Sequence, residues 1–100
     1  MAKRVIWSNL AKDEKYDIFN YWNKRNKSKV YSKKLDRLFN EAINVIKDYS
    51  EIGRVTDFPT IRRFVVRDYL ILYKVETDSI YILSIWDTRQ DPEKLARRYE

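Results

Sequence analysis

One hundred residues, 44% of them hydrophobic and 15% aromatic, suffice for a single folded domain, residues 1–100, with a core of its own. The absence of cysteine and histidine excludes disulfides, Cys/His zinc sites and His-dependent nucleophilic catalysis, and we expect no metal and no cofactor. No apolar run is long enough to cross a membrane, no signal peptide is evident, and a net charge of +6 suits an acidic or polyanionic partner, so we expect a cytoplasmic protein.

The first elements are a short strand and a helix. "KRVIWS" (3–8) has the composition of a strand, and Ser8 or Asn9 can cap the helix that follows by accepting its free amide hydrogens. The helix should end near "NKS" (26–28). Apolar residues recur along it at roughly helical spacing: Leu10, Ala11, Ile18, Tyr21 and Trp22.

A second helix is indicated by one apolar stripe with a period of 3.6 residues. The stripe consists of Tyr31, Leu35, Leu38, Ala42, Ile46 and Tyr49. The helix should end near Ser50, before Gly53, which is the only glycine of the chain. Because few residues separate the two helices, we expect them to form an antiparallel hairpin.

Three β-rich runs follow a predicted loop at 54–60, and turn residues separate them. They cover 61–67, 69–75 and 79–86 and predict a meander of antiparallel strands, with a tail that turns at Asp91-Pro92 and forms a last helical turn or two. The helix stripe should lie on this sheet, with Leu38 and Ala42 buried above Leu72 and Ile82.

Arginines are unusually frequent in "IRRFVVR" (61–67). Because side chains alternate along a strand, Arg63 and Arg67 should share one face with Val65, while Arg62 lies on the other. The end of the last strand should bring Arg89 near them, so that three arginines meet on one open face. Alternatively, the arginines only protect a sheet edge from aggregation.

The order of these segments resembles the RelE/ParE superfamily of bacterial toxins from type II toxin–antitoxin modules. The resemblance rests on "LAKDEKYDIFNYW", "AINVIKDYSEIG", "IRRFVVRDYLILYKV" and "IYILSIWDTRQDP". It implies an α+β fold, in which an antiparallel hairpin of two N-terminal helices packs on a twisted antiparallel β-sheet. It also implies a cognate antitoxin protein as partner, with no membrane involved.

The resemblance leaves two molecular targets open. RelE-like members resemble ribonucleases that cut mRNA on the ribosome, and ParE-like members resemble inhibitors of DNA gyrase. For the nuclease, the resemblance places catalytic roles at Arg63, Arg67, Arg89 and Tyr99. The chain departs from RelE at Leu70, where RelE has an arginine.

Other residues are expected to contact nucleic acid or a partner protein. These residues are Arg62, Trp86 and Lys94. A third hypothesis needs no toxin at all: the basic segment 24–37 would then make the chain a small domain that binds nucleic acid without specificity.

Overall fold

The computed structural model describes residues 3–89. Seven elements follow one another in this range: β1 (Arg4–Trp7), α1 (Asn9–Asn26), α2 (Val30–Asp48), β2 (Arg54–Val55), β3 (Ile61–Val66), β4 (Tyr69–Val75) and β5 (Ser79–Asp87). The predicted strand boundaries are therefore confirmed to within one residue. The predicted tail helix falls on 90–100, outside the described residues.

The strands form one sheet in the order β1-β5-β4-β3-β2. Strands β2 to β5 pair antiparallel, as the predicted meander requires, whereas β1 pairs parallel to β5. The α+β fold with two helices packed on a sheet is thus confirmed, and the sheet is mixed. The segment 54–60 was predicted to be a loop, but its first two residues form β2 at the edge of the sheet.

Ser8 fixes the start of α1 as its N-cap. Its hydroxyl accepts a hydrogen bond from the amide of Ala11 at 2.9 Å and donates to the carbonyl of Leu83, also at 2.9 Å. One side chain therefore satisfies a free helix amide and ties the helix start to β5. At the other end Lys27 adopts a left-handed conformation with φ of 51°, and its amide bonds to the carbonyl of Asn23.

The buried face of α2 is rotated relative to the predicted stripe. Leu35, Ala42 and Ile46 are buried as expected, but the centre of the face also includes Phe39 and Ile43. Leu38 is only half-buried, and the side chain of Tyr49 is 68% exposed. The predicted stripe was therefore wrong at Tyr49, because α2 ends at Asp48 and Tyr49 is its C-cap, with a non-helical backbone (φ −132°, ψ 72°).

Strand β4 presents Tyr69, Ile71 and Tyr73 to the helices. Leu72 is buried, yet it alternates with these residues and faces the opposite side of the sheet, so its predicted contact with the second helix was wrong. Ile82 does lie in the helix-covered core. The run "YLILYKV" is apolar on both faces, and periodicity alone therefore could not assign its phase.

Candidate functional site

A cleft of about 510 Å³ opens between α1 and the end of β5. Its polar and aromatic lining comprises Glu14, Asp17, Tyr21, Tyr69, Trp86, Asp87 and Arg89. The cleft lies where β1 has ended, since the last residue of β1 pairs with Ile82 and the cleft begins near Ile85. Two of the predicted site residues, Arg89 and Trp86, therefore meet on this cleft.

Arg89 is held against Asp87 by a two-pronged ion pair. Its Nε donates to Oδ1 at 2.9 Å and its Nη2 to Oδ2 at 2.8 Å. These bonds lower the pKa of Asp87 and raise the pKa of Arg89. Asp87 thus pairs with a neighbouring arginine, and the positive charge of Arg89 is already compensated within the chain.

Aromatic side chains form the floor beside this pair. The indole N–H of Trp22 donates to the hydroxyl of Tyr69 at 2.8 Å, and the Trp22 ring meets Tyr31 edge to face with centroids 4.7 Å apart. The guanidinium of Arg89 lies 5.8 Å from the centre of the Trp22 ring. Burial raises the pKa of Tyr69, which stays protonated at neutral pH.

Glu14 joins the helix to the sheet at the same cleft. Its Oε1 accepts hydrogen bonds from the hydroxyl of Ser84 at 2.7 Å and from the amide of Ile85 at 3.2 Å. The Glu14 carboxylate thus accepts a hydrogen bond from a β5 amide that lies beyond the end of the pairing between β1 and β5. No local signal in the sequence indicates this role of Glu14, because its partners are 70 and 71 residues away.

Arg63 lies on the opposite side of the sheet. Its cross-strand partner on β4 is Leu72, which faces away from the helices, and cross-strand partners share a face. On β2 its partner is Arg54, a residue that sequence reasoning did not select. Both arginines are exposed.

The side chain of Arg62 faces the helices and forms hydrogen bonds to backbone groups of its own chain. Its Nη1 donates to the carbonyl of Gly53 at 2.9 Å and to that of Glu51 at 3.2 Å. These contacts fix the segment between α2 and β2. A structural role for Arg62 is therefore visible, whereas its predicted contact with a partner stays a prediction.

Arg67 opens the two-residue turn between β3 and β4, with φ of 56°. The carbonyl of its neighbour Asp68 accepts a hydrogen bond from the amide of Thr88 at 2.8 Å, so Arg67 and Arg89 lie at the same end of the sheet. Positive φ is uncommon for a residue other than glycine, and it puts Arg67 out of the strand alternation used to predict its face.

The three arginines do not meet on one surface. Arg63 aligns across the sheet with Ser84, which precedes Arg89 by five residues. At about 3.3 Å per strand residue, Arg63 and Arg89 are about 16 Å apart along the strands, and they lie on opposite faces. The predicted convergence was wrong, because it rested on alternation within β3 and took no account of the face on which the chain leaves β5.

The remaining predicted residues differ in accessibility. Trp86 is 4% exposed, so its side chain contributes mainly to packing. Tyr99 and Lys94 lie outside the described residues. Within residues 3–89, no group of three or more acidic side chains is arranged to hold a metal ion. No helix in the same range has the length and apolar character needed to cross a membrane.

Comparison with known proteins identifies the family. A family model described as "ParE toxin of type II toxin-antitoxin system, parDE" matches residues 5–92. A solved structure titled "Chromosomal ParDE TA system from P. aeruginosa" shares the fold with a TM-score of 0.74 and 16% sequence identity, covering 86% of this chain and 96% of that chain. No curated protein sequence matches the chain. Since the family model matches most of the chain, the chain belongs to the ParE toxin family of type II toxin–antitoxin systems.

Proposed function

We propose that this chain is a toxin that inhibits DNA gyrase through protein contacts in the cytoplasm and that a cognate antitoxin neutralises it. The match to the ParE toxin family over residues 5–92 carries this proposal. Members of that family resemble gyrase inhibitors, whereas the ribosome-dependent nucleases belong to the RelE branch of the superfamily.

The placement of the arginines supports an inhibitor that does not itself catalyse a reaction. Cutting RNA requires a base, an acid and charge stabilisation around one phosphate group. Arg63 and Arg89 lie on opposite faces, and the bond to Asp87 raises the pKa of Arg89, which makes it a still poorer proton donor or acceptor. The described residues therefore offer binding surfaces more readily than a reaction centre.

An antitoxin partner agrees with the charge of the chain. The solved relative from P. aeruginosa is described as a ParDE toxin–antitoxin system, and a net charge of +6 favours an acidic partner. An antitoxin segment that folds on binding would cover part of this small domain.

Two measurements on the same preparation test the target. Purified chain should block DNA supercoiling by purified gyrase, and the purified antitoxin from the same operon should relieve the block. In cells induced to make the toxin, primer extension should find no new ribosome-dependent cuts in mRNA. Cut mRNA together with uninhibited gyrase would contradict the proposal and favour the RelE-like nuclease.

A further inference from the structure

The edge formed by β2 and β3 carries a repulsive pair of arginines. Arg54 and Arg63 stand directly opposite each other, and like charges in that position destabilise a sheet. Within residues 3–89, no carboxylate forms an ion pair with either arginine. Two exposed, uncompensated cations side by side form a ready site for an anionic group.

Within residues 3–89, the strand edge beside this pair is open at Val65, since β2 pairs only with Arg62 and Arg63. The carbonyl of Ile61 accepts a hydrogen bond from Thr56 at 3.3 Å, so Ile61 turns its backbone groups toward β2. The backbone groups of successive strand residues point alternately to the two edges of the strand. Val65, four residues after Ile61, therefore turns its amide and carbonyl toward the same edge as Ile61. β2 does not extend to this position, since it begins at Arg54, and the preceding residue Gly53 donates its amide to the hydroxyl of Tyr73 at 2.8 Å.

Aliphatic side chains surround the two arginines. Val65 and Val55 are each 62% exposed, and Ile52 is 48% exposed. Ile52 and Val65 line a concavity of about 390 Å³ together with Arg54 and Arg63, and no carboxylate belongs to this lining. The surface thus combines positive charge, apolar contact area and an open strand edge.

We propose that this edge binds an extended, acidic segment of a partner protein. A carboxylate of the segment lies between Arg54 and Arg63, its backbone pairs with Val65, and its apolar side chains cover Ile52 and Val65. A nucleic acid fits this surface less well, because single strands bind to exposed aromatic faces, and Phe64, the one aromatic residue among the described residues lining the concavity, is partly buried against the core. The proposal does not depend on which enzyme the toxin inhibits.

Nuclear magnetic resonance on the ¹⁵N-labelled full chain can test this binding. The probe is the capped peptide Val-Glu-Val-Glu-Val, compared with the matched peptide Val-Lys-Val-Lys-Val and with a thymidine decanucleotide. We expect only the glutamate peptide to shift the amide signals of 52–55 and 63–66. Preferential binding of the decanucleotide, equal binding of the lysine peptide, or shifts confined to other regions would overturn the proposal.

Variants provide the second part of the test. R54Q and R63Q should each weaken binding of the glutamate peptide roughly tenfold, since each removes a hydrogen bond to a charged group. R4Q serves as the matched control, because Arg4 is an exposed strand arginine at the other edge of the sheet, and it should leave the affinity unchanged. R54Q and R63Q should also raise Tm, because each relieves the repulsion.

The competing explanation is that Arg54 and Arg63 only keep sheet edges apart. In that case the glutamate peptide would not bind, and R63Q would cause the chain to self-associate in analytical ultracentrifugation. This combination would overturn the proposal. A chain that stays monomeric as R63Q, melts higher and loses the peptide would support it.

Discussion

Strand β4 carries two buried tyrosines, and their hydroxyls organise two different regions of the molecule. Tyr69 accepts a hydrogen bond from Trp22 and so holds α1 beside the cleft. Tyr73 donates to the carbonyl of Ser50 at 2.9 Å and accepts from the amide of Gly53 at 2.8 Å, and so holds the segment that leads into β2. Two tyrosines on the helix-facing side of β4 thus hold two different regions in place, the cleft beside α1 and the segment that leads into β2.

The two regions differ in how their charges are compensated. At the Tyr69 end, Arg89 is bound by Asp87 through both carboxylate oxygens. At the Tyr73 end, Arg54 and Arg63 face each other without a described acidic partner. A count of arginines therefore does not locate a binding surface. The arginines available to a partner are those that the chain leaves uncompensated.

Removing Phe39 should disrupt the Tyr69 end most strongly. Its ring is fully buried and packs edge to face on Tyr69, with centroids 5.8 Å apart. Phe39→Ala should lower the free energy of unfolding by about 3–5 kcal/mol, as measured by urea denaturation. Leu38→Ala should cost clearly less, because Leu38 is half-buried.

Tyr16→Ala is the surface control for this pair, since Tyr16 is 66% exposed, and it should change stability by no more than about 0.5 kcal/mol. A larger loss for Leu38→Ala than for Phe39→Ala would contradict the helix orientation described above.

Gly53→Ala should disrupt the Tyr73 end. A methyl group at this position would lie 2.8 Å from the carbonyl oxygen of Arg63 and would collide with the hydroxyl of Tyr73. Overpacking of this kind typically costs about 1–3 kcal/mol. We expect a lower Tm together with loss of protection of the 52–55 amides in hydrogen exchange, while the Trp22 indole signal stays unchanged. Unchanged exchange at 52–55 would show that this segment is not held by Tyr73.

Much of the fold could be predicted from local sequence signals. Ser8 was one of two predicted candidates for the cap, because the physics of a helix start is local, and the strand runs were recognised because turn residues separate them. The faces of α2 and β4 were harder, since Tyr49 and Leu72 are apolar residues at plausible spacing, yet Tyr49 lies just beyond the end of α2 and Leu72 faces away from the helices.

The candidate site was less predictable for a related reason. Glu14 bonds to Ser84, and Arg54 opposes Arg63, only because the sheet brings distant segments together. Alternation within β3 placed Arg63 on an open face, but it could not show that Arg89 leaves β5 toward the helices. Charge patterns in the sequence thus identified candidates, and the tertiary fold decided which of them share a surface.

The two tyrosines themselves offer a direct comparison. Tyr73→Phe leaves a buried amide and a carbonyl without their partner, and it should cost about 1–3 kcal/mol. Tyr69→Phe removes one acceptor from the indole N–H of Trp22 and should cost about 1 kcal/mol. Urea denaturation of both variants measures the difference. Equal losses would show that the second hydrogen bond of Tyr73 contributes little.

The smallest expected effect concerns the compensated charge pair. Its hydrogen bonds to Arg89 lower the pKa of Asp87, so the pair stabilises the fold at neutral pH, and this contribution is lost as the pH falls through the lowered pKa. Asp87→Asn should therefore destabilise the chain at pH 7 by about 0.2–1 kcal/mol, a range set by the exposure of the guanidinium. Below that pKa the variant and the wild type should be equally stable.

Glu76→Gln is the matched control, because it removes the ion pair between Lys74 and Glu76, in which both side chains are more than 40% exposed. It should have the smaller effect at pH 7, since its single 3.1 Å contact lacks the paired geometry of Asp87 and Arg89. Thermal melts of both variants between pH 7 and pH 2 measure the comparison. If the difference between wild type and Asp87→Asn persisted below the lowered pKa of Asp87, the contribution of Asp87 would come from packing, and charge would not distinguish the cleft from the edge that carries Arg54 and Arg63.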